Sequence, residues 1–169
     1  AQRSYVLADS STMSITGTST LHDWESQVTE MDVEVQATQD AENPDFQIFS
    51  LTVPVKSIKS EKSKMEKKTY EALKADDHPN IIFDLMNIKS VGSDTVTAVG
   101  NLTIAGETKP VTVKAAYSSI GTDAMQLKGS YSMKMTSYNV DPPSVMFGTI
   151  KSGDEITIHY NFYLKSENL

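Results

Sequence analysis

The segment His22-Asp23-Trp24 is the most chemically suggestive cluster in the sequence. A carboxylate beside a histidine is typical of a general base. Neighbouring residues on a strand point to opposite faces, however, so Asp23 is poorly placed to orient the ring of His22. No serine-containing nucleophile elbow is present to complete a triad. The sequence therefore favours a structural role for His22 and Trp24, or a place at the mouth of a cavity, with general-base catalysis as the alternative.

Metal chemistry has little support in the sequence. The chain has three histidines, His22, His78 and His159, with neither HxH nor HExxH spacing, and it has no cysteine. A transition-metal site would require distant strands to bring these histidines together with a carboxylate. The absence of cysteine excludes disulfides, thiolate zinc sites and thiol catalysis. We therefore expect no metal and no resident cofactor.

Length and charge exclude further classes. The 169 residues suit one domain, 1–169, and the formal charge of -7 argues against nucleic acid as a partner. No apolar run approaches the roughly 18 residues of a membrane helix, so we expect no stable membrane insertion. The chain starts at Ala1, a small residue of the kind that signal-peptide cleavage leaves. We expect a periplasmic or secreted mature protein, with a trimmed fragment as the alternative.

Apolar and polar residues alternate along most of the chain. This pattern is typical of antiparallel strands with one buried face. It predicts eight strands, around residues 12–18, 31–37, 49–55, 81–85, 96–104, 111–117, 127–135 and 156–164. Eight such strands predict an all-β fold, an eight-stranded antiparallel barrel whose closure removes the exposed sheet edges.

One helix is predicted to interrupt the strands, at about residues 61–76. Met65, Thr69, Ala72 and Leu73 form one stripe, Ser60 is the predicted N-cap, and the Ser63–Glu66 spacing resembles a capping box. Seven of the fifteen basic residues lie between positions 56 and 74. The favoured interpretation is a solvated helix face crossed by ion pairs. The alternative is a basic rim that attracts an anionic head group or a membrane surface.

An eight-stranded barrel is either filled by side chains or open to one small ligand. Small residues at inward positions, such as Gly100, Ala115 and Gly129, together with flexible methionines, are typical of an open cavity but fit a filled barrel equally well. The alternative is a filled structural barrel in which glycines relieve curvature. The predicted cavity wall is Met13, Ile15, Met31, Val33, Phe83, Leu85, Leu102, Tyr117, Tyr131, Met133, Met135 and Phe162. His22 and Trp24 are the candidate mouth residues.

Several segments together resemble one family. Residues 99–111 read VGNLTIAGETKPV, residues 73–83 read LKADDHPNIIF, and residues 153–158 read GDEITI. The start of the chain contributes Tyr5 and the segment STMSI at 11–15. In this order they resemble the YceI-like family of bacterial lipocalin-like polyisoprenoid-binding proteins. The first segment is similar to that family's GxLTIxGxTKPV hairpin and is the most specific of them.

The resemblance implies a lipocalin-like barrel, export to the periplasm and a hydrophobic tunnel for an isoprenoid chain. Because barrels of this family often pair, it also implies a possible homodimer. It implies no catalysis. Residues 135–139, MTSYN, depart from the RSDFG of many relatives, and residues 18–24 depart too. Without that arginine, a less charged lipid such as a quinone is as acceptable as a diphosphate.

The resulting hypothesis is a periplasmic protein that holds an isoprenoid or other long-chain amphiphile for transport, storage or sequestration. Its alternatives are a hydrolase-type enzyme that uses His22 on a lipid-like substrate, and a filled barrel with an interaction role.

Overall fold

The computed structural model describes residues 2–40, 43–145 and 150–167. They form twelve strands and one α-helix, α1 (Ser63–Ala72). The strands are β1 (Gln2–Leu7), β2 (Thr12–Ser19), β3 (Trp24–Val28), β4 (Asp32–Thr38), β5 (Asp45–Pro54), β6 (Ile58–Lys59), β7 (Asn80–Val91), β8 (Thr95–Ile104), β9 (Glu107–Ile120), β10 (Ala124–Lys134), β11 (Ser144–Val145) and β12 (Ile150–Ser166).

Eight of these strands close into an antiparallel barrel, the architecture that the alternation predicts, but β1 takes the place in the ring expected for the segment 12–18, which is β2. Their order is β1–β4–β5–β7–β8–β9–β10–β12, and β12 returns to β1 through pairs such as Tyr5 with Ser166. The 17-residue β12 also pairs with β2, which places Ile158 opposite Ile15. Strands β2, β3 and β6 extend the sheet beyond the closed ring. The predicted all-β, eight-stranded, lipocalin-like architecture is confirmed.

Each of the eight predicted segments overlaps a strand. The sequence pattern does not predict β1 or β3. In β1, Tyr5 is the single fully buried residue, and its neighbours are half-buried or exposed. A short strand with one buried residue shows no period-two pattern. Strand β8 is the opposite case, because its buried and half-buried residues alternate strictly along all ten positions.

Helix α1 lies between β6 and β7, where the sequence places a helix, but it is shorter than the predicted 61–76. Its N-cap is Lys62, without a side-chain cap, so the predicted N-cap at Ser60 and the Ser63–Glu66 capping box are wrong. Instead, the backbone N–H of Ser60 donates to Glu66 Oε1 at 3.0 Å. The helix ends before Lys74, whose φ of 56° is left-handed.

The inward glycines do not leave the empty space expected of them. A Cβ on Gly100 would lie 2.4 Å from Cζ of Phe83, and one on Gly129 would lie 2.4 Å from the carbonyl oxygen of Lys114. The Phe83 ring and the Lys114 backbone therefore occupy the space beside these glycines. An aromatic ring packed over a glycine stabilises it within a sheet. The empty volume of the barrel lies elsewhere.

Candidate ligand-binding cavities

The barrel encloses an apolar cavity of about 160 Å³, called here the barrel cavity. Strands β5, β7, β8, β9, β10 and β12 supply most of its wall, and Met13 adds the contribution of β2. Ala98 and Ala115 line it, so the small side chains that do leave volume are alanines. An apolar cavity of about 150 Å³ stays dry and binds benzene-sized guests. The barrel is therefore not filled by its own side chains.

Aromatic rings form one rigid side of the barrel cavity. The ring of Phe49 lies edge-on to Phe46 and Phe83, with centroids 6.4 and 6.2 Å away. Phe162 lies 6.3 Å from Phe49 and stacks with Tyr160 at 5.6 Å. Such edge-on and offset contacts add stability beyond the burial of area. A guest would therefore meet a preformed apolar wall.

Tyr160 keeps its polar end away from the cavity. Its hydroxyl donates a hydrogen bond to the backbone carbonyl of Lys114. Burial raises the pKa of Tyr160 to about 12, so the phenol is neutral at physiological pH. Burial also raises the pKa of Tyr131, another lining residue. The described lining includes one charged residue, Lys114, which is exposed. Because the rest of the wall is almost entirely apolar, the barrel cavity suits a hydrocarbon chain.

A second cavity of about 130 Å³, called here the helix cavity, lies beneath α1. The stripe predicted from the sequence, Met65, Thr69, Ala72 and Leu73, covers one side of it. The opposite wall includes Trp24, whose Nε1 donates to the carbonyl of Thr18 at 2.9 Å. This hydrogen bond fixes the indole ring over Gly17, where an added Cβ would lie 2.4 Å from the ring.

Polar groups mark one edge of the helix cavity. Glu25, Ser26, Ser60 and Ser152 line it together with apolar residues, and Glu25 is exposed. Its described lining contains no lysine or arginine. Ser26 and Ser152 are buried, so the cavity reaches solvent at Glu25 and Ser60, called here its polar edge, which offers a carboxylate and a hydroxyl.

The two cavities share a wall. Ile81 of β7 and Ile158 of β12 line both of them, and both side chains are half-buried. Together the cavities extend from the aromatic cluster to the underside of α1. A long guest would have to pass between these two isoleucines.

Most predicted wall residues line one cavity or the other. The barrel cavity contains Met13, Phe83, Leu85, Leu102, Tyr131 and Phe162. The helix cavity contains Ile15, Met133 and Met135, along with the mouth candidate Trp24. Their contact with a ligand stays a prediction.

Met31, Val33 and Tyr117 line neither cavity, in contrast to the prediction. Met31 and Val33 pack against the buried core. The hydroxyl of Tyr117 donates to the carbonyl of Asp40 at 3.1 Å, which ties β9 to the segment after β4. These three side chains therefore act in packing. The prediction failed because the alternation of a strand identifies its inward face but not which part of that face is empty.

His22 lies in the exposed turn between β2 and β3, outside the lining of both cavities. Its Nδ1 is 2.7 Å from the backbone carbonyl oxygen of Asp23, and its backbone N–H donates to Oγ of Ser19. The ring thus contacts a carbonyl of Asp23 rather than its carboxylate. The geometry of a His–Asp general base, which motivated the enzyme alternative, does not form in this turn.

The other histidines also have local contacts. Nε2 of His159 lies 2.9 Å from Oγ1 of Thr16. The ring of His78 packs on Gly106, whose φ of 83° belongs to the β8–β9 turn. The described residues contain no group of three or more His, Asp or Glu side chains that could hold a metal ion.

Several lining residues belong to the alternating and helical patterns but are not among the predicted wall residues. Phe49, Ile81 and Ile158 belong to the alternating sets, and Met65 and Leu73 belong to the helix stripe. The helix stripe could have predicted Met65 and Leu73 as lining residues, because an apolar helix face needs an apolar surface beneath it. Nothing in the sequence indicates that Ile81 and Ile158 line both cavities.

The family model for the YceI-like domain matches residues 5–164. The chain belongs to the YceI-like domain family. The match runs from the first barrel strand to the last, so it covers the walls of both cavities. This YceI-like chain also matches an UPF0312 protein of Azotobacter vinelandii, with 30% identity over 86 residues, which is 50% of this chain and 45% of that relative. It therefore spans about half the length of this relative.

Solved structures share the fold at low sequence identity. BcnA of Burkholderia cenocepacia has a TM-score of 0.75 and 18% identity, over 90% of this chain and 95% of BcnA. A polyisoprenoid binding domain from Saccharophagus degradans has a TM-score of 0.74 and 10% identity, over 97% and 99%. A Campylobacter jejuni YCEI protein has a TM-score of 0.71 and 14% identity, over 85% of each chain. At these identities the likeness establishes the fold.

Among the described residues, no helix has both the length and the apolar character needed to cross a bilayer.

Proposed function

We propose that this YceI-like protein binds an isoprenoid-type lipid, with its chain in the barrel cavity and the helix cavity. The observation that carries the proposal is the pair of adjoining apolar cavities on either side of Ile81 and Ile158. The structural likeness to a polyisoprenoid binding domain supports the choice of chain.

The chain would supply most of the affinity. Each buried methylene contributes about 0.8 kcal/mol, so a five-carbon unit contributes about 4 kcal/mol before ordering costs. Ligand pockets usually measure about 300–1,000 Å³, whereas the barrel cavity measures about 160 Å³. A long ligand therefore needs both cavities and displacement of the side chains between them.

The head group would lie at the polar edge of the helix cavity. The described lining offers Glu25 and serines but no lysine or arginine, so it suits a hydroxyl or carbonyl; Lys59 and Lys62, which flank Ser60, are exposed outside the lining. We therefore favour a neutral head group, such as that of a quinone or an isoprenoid alcohol, over a prenyl phosphate.

We further propose that the protein is a periplasmic or secreted carrier that transports, stores or sequesters its lipid. The resemblance described from the sequence supports this placement. Fractionation of the native host tests it, and recovery in the cytosol alone would contradict it. A homodimer stays a prediction, to be checked by light scattering.

Lipid binding is tested by matched substitutions on one strand. Ala115 lines the barrel cavity, whereas its neighbour Ala116 is exposed. Native mass spectrometry of protein from its own host, followed by organic extraction, should release a lipid. Thermal shift with a prenyl-alcohol series should show stabilisation that grows with chain length. Ala115→Phe should abolish this stabilisation, and Ala116→Phe should preserve it.

A protein that releases no lipid and gains no stability from any prenyl chain would refute the proposal. Equal effects of Ala115→Phe and Ala116→Phe would show that the barrel cavity is not the binding site. The hydrolase alternative predicts turnover of ester or phosphate lipids that His22→Ala abolishes.

A further inference from the structure

Helix α1 separates the helix cavity from solvent. Its inner face, with Met65 and Leu73, lines the cavity. Its outer face presents Lys64, Lys67 and Lys68, all exposed. The same ten-residue element therefore borders the proposed lipid site on one side and displays a row of positive charges on the other.

The segment that contains α1 is basic in an acidic chain, although the exposed Asp76 and Asp77 follow it directly. The segment 56–74 contains seven lysines and three glutamates, a net charge of +4 in a chain of net charge -7. The remaining residues therefore carry a net charge of -11. Such separation orients a protein in an electric field even when its overall charge is negative.

The glutamates neutralise this basic surface only in part, because α1 carries three lysines and two glutamates and Glu61 is exposed just before it. Glu66 accepts the backbone N–H of Ser60, and Glu71 pairs with Lys68 at 3.7 Å. Lys64 and Lys67 make no ion pair with any residue that the structure describes. The favoured sequence interpretation is a helix face crossed by ion pairs. Among the described residues, one i,i+3 ion pair, Lys68 with Glu71, forms on this face.

An exposed apolar residue lies at the same end of the barrel. Leu21, in the β2–β3 turn, is 65% exposed. Thr20, which precedes Leu21, donates its backbone N–H to the carbonyl of Lys151 at 3.0 Å. Lys151 pairs with Ser144 of β11, the strand that contacts α1. The turn and the helix are thus joined through β11 and β12.

We propose that α1 and the β2–β3 turn form a docking surface for an anionic lipid bilayer. The lysines of α1 would attract the lipid phosphates, and Leu21 would insert at the headgroup boundary. Docking in this orientation would bring the polar edge of the helix cavity to the membrane, a role that rests on the proposed lipid-binding function.

Sedimentation with vesicles tests the docking. The full chain should bind vesicles of phosphatidylcholine with phosphatidylglycerol, not vesicles of phosphatidylcholine alone, and added salt should weaken the binding. Each lysine at an anionic surface contributes roughly five-fold to partitioning. Lys64→Glu with Lys67→Glu should therefore lower binding by at least about 30-fold. Leu21→Ala should lower it by roughly ten-fold.

The matched control changes the net charge by the same amount at positions away from α1. Lys89 and Lys128 are exposed and follow Ile88 and Leu127, which line the barrel cavity at the other end of the barrel. Lys89→Glu with Lys128→Glu should leave vesicle binding within about two-fold. Equal losses in the two double variants would overturn the proposal, as would failure of the native chain to bind anionic vesicles. Binding of an acidic protein without vesicle binding would also overturn it.

A titration with a prenyl alcohol, without vesicles, separates this proposal from the lipid-binding function. Lys64→Glu with Lys67→Glu should retain prenyl-alcohol affinity, because both side chains point away from the cavity. Vesicle binding without prenyl-alcohol binding would refute lipid binding in the cavities and leave the docking surface standing. The reverse result would refute the docking surface alone.

Discussion

The substitution Ile158→Ala tests whether the wall between the two cavities limits the length of the bound chain. It removes three carbon groups from a half-buried side chain that faces empty space on two sides. Three groups at about 0.8 kcal/mol each give about 2.4 kcal/mol of lost transfer free energy. Replacing a buried isoleucine by alanine typically costs about 2–5 kcal/mol. We expect a loss near the lower end, about 2 kcal/mol, because Ile158 is only half-buried.

The same substitution should favour longer ligands. Opening the wall lets a chain in the barrel cavity extend into the helix cavity, where one more five-carbon unit could gain about 4 kcal/mol before ordering costs. If a third of that gain is retained, the ratio of affinities for farnesol over geraniol, which differ by one such unit, should rise by roughly ten-fold.

The assay combines urea unfolding with calorimetric titration of both alcohols. Ile48→Ala is the matched control, because Ile48 is 37% exposed on β5 and lines neither cavity. It should change neither the affinity ratio nor, by more than about 0.5 kcal/mol, the free energy of unfolding. If Ile158→Ala loses stability as expected but keeps the native affinity ratio, Ile158 does not limit chain length.

Three further substitutions have defined outcomes. The Tyr138 hydroxyl is buried without a hydrogen-bond partner among the described residues, so Tyr138→Phe should raise the free energy of unfolding in urea by about 1 kcal/mol; a loss would contradict this. Tyr160→Phe should cost about 1 kcal/mol at pH 8, because it removes the hydrogen bond to Lys114. Burial raises the pKa of Tyr160 from 10.0 to about 12. The unfolded chain therefore loses this proton first, and stability should fall as pH rises from 10 to 12. Urea unfolding across that range should show a smaller fall in Tyr160→Phe, and an unchanged slope would refute the assignment. Gly100→Ala should destabilise by about 1–3 kcal/mol, because its Cβ would overlap the Phe83 ring; a thermal melt equal to that of the native chain would contradict the close contact.

Much of the barrel follows from period-two alternation. Strand β8 is predictable because Val96, Ala98, Gly100, Leu102 and Ile104 are all buried on one face. Strand β3 is not, because it has only five residues and the middle position of its buried face is the polar Ser26, so its alternation is not visible as an apolar pattern. Local sequence encodes which face is apolar, whereas pairing partners depend on contacts between distant segments.

The candidate site was predictable in kind but not in position. Met13 and Phe162 line the barrel cavity, yet Val33 shows the same alternation and packs into the core. Gly100 was expected to leave space, and the ring of Phe83 occupies it. Empty volume arises from how side chains of different strands meet, and one strand's pattern does not contain that information.

The long pairing of β12 has a consequence for how the molecule is made. This strand contacts β1, β2, β10 and β11, so it completes both the closed ring and the sheet extension. It is also the last described strand to be synthesised. Until it leaves the ribosome, β1, β2 and β10 each lack a neighbour and expose backbone groups that other chains could pair with. We expect the nascent chain to stay open, and prone to aggregate unless a chaperone holds it, until β12 has been synthesised.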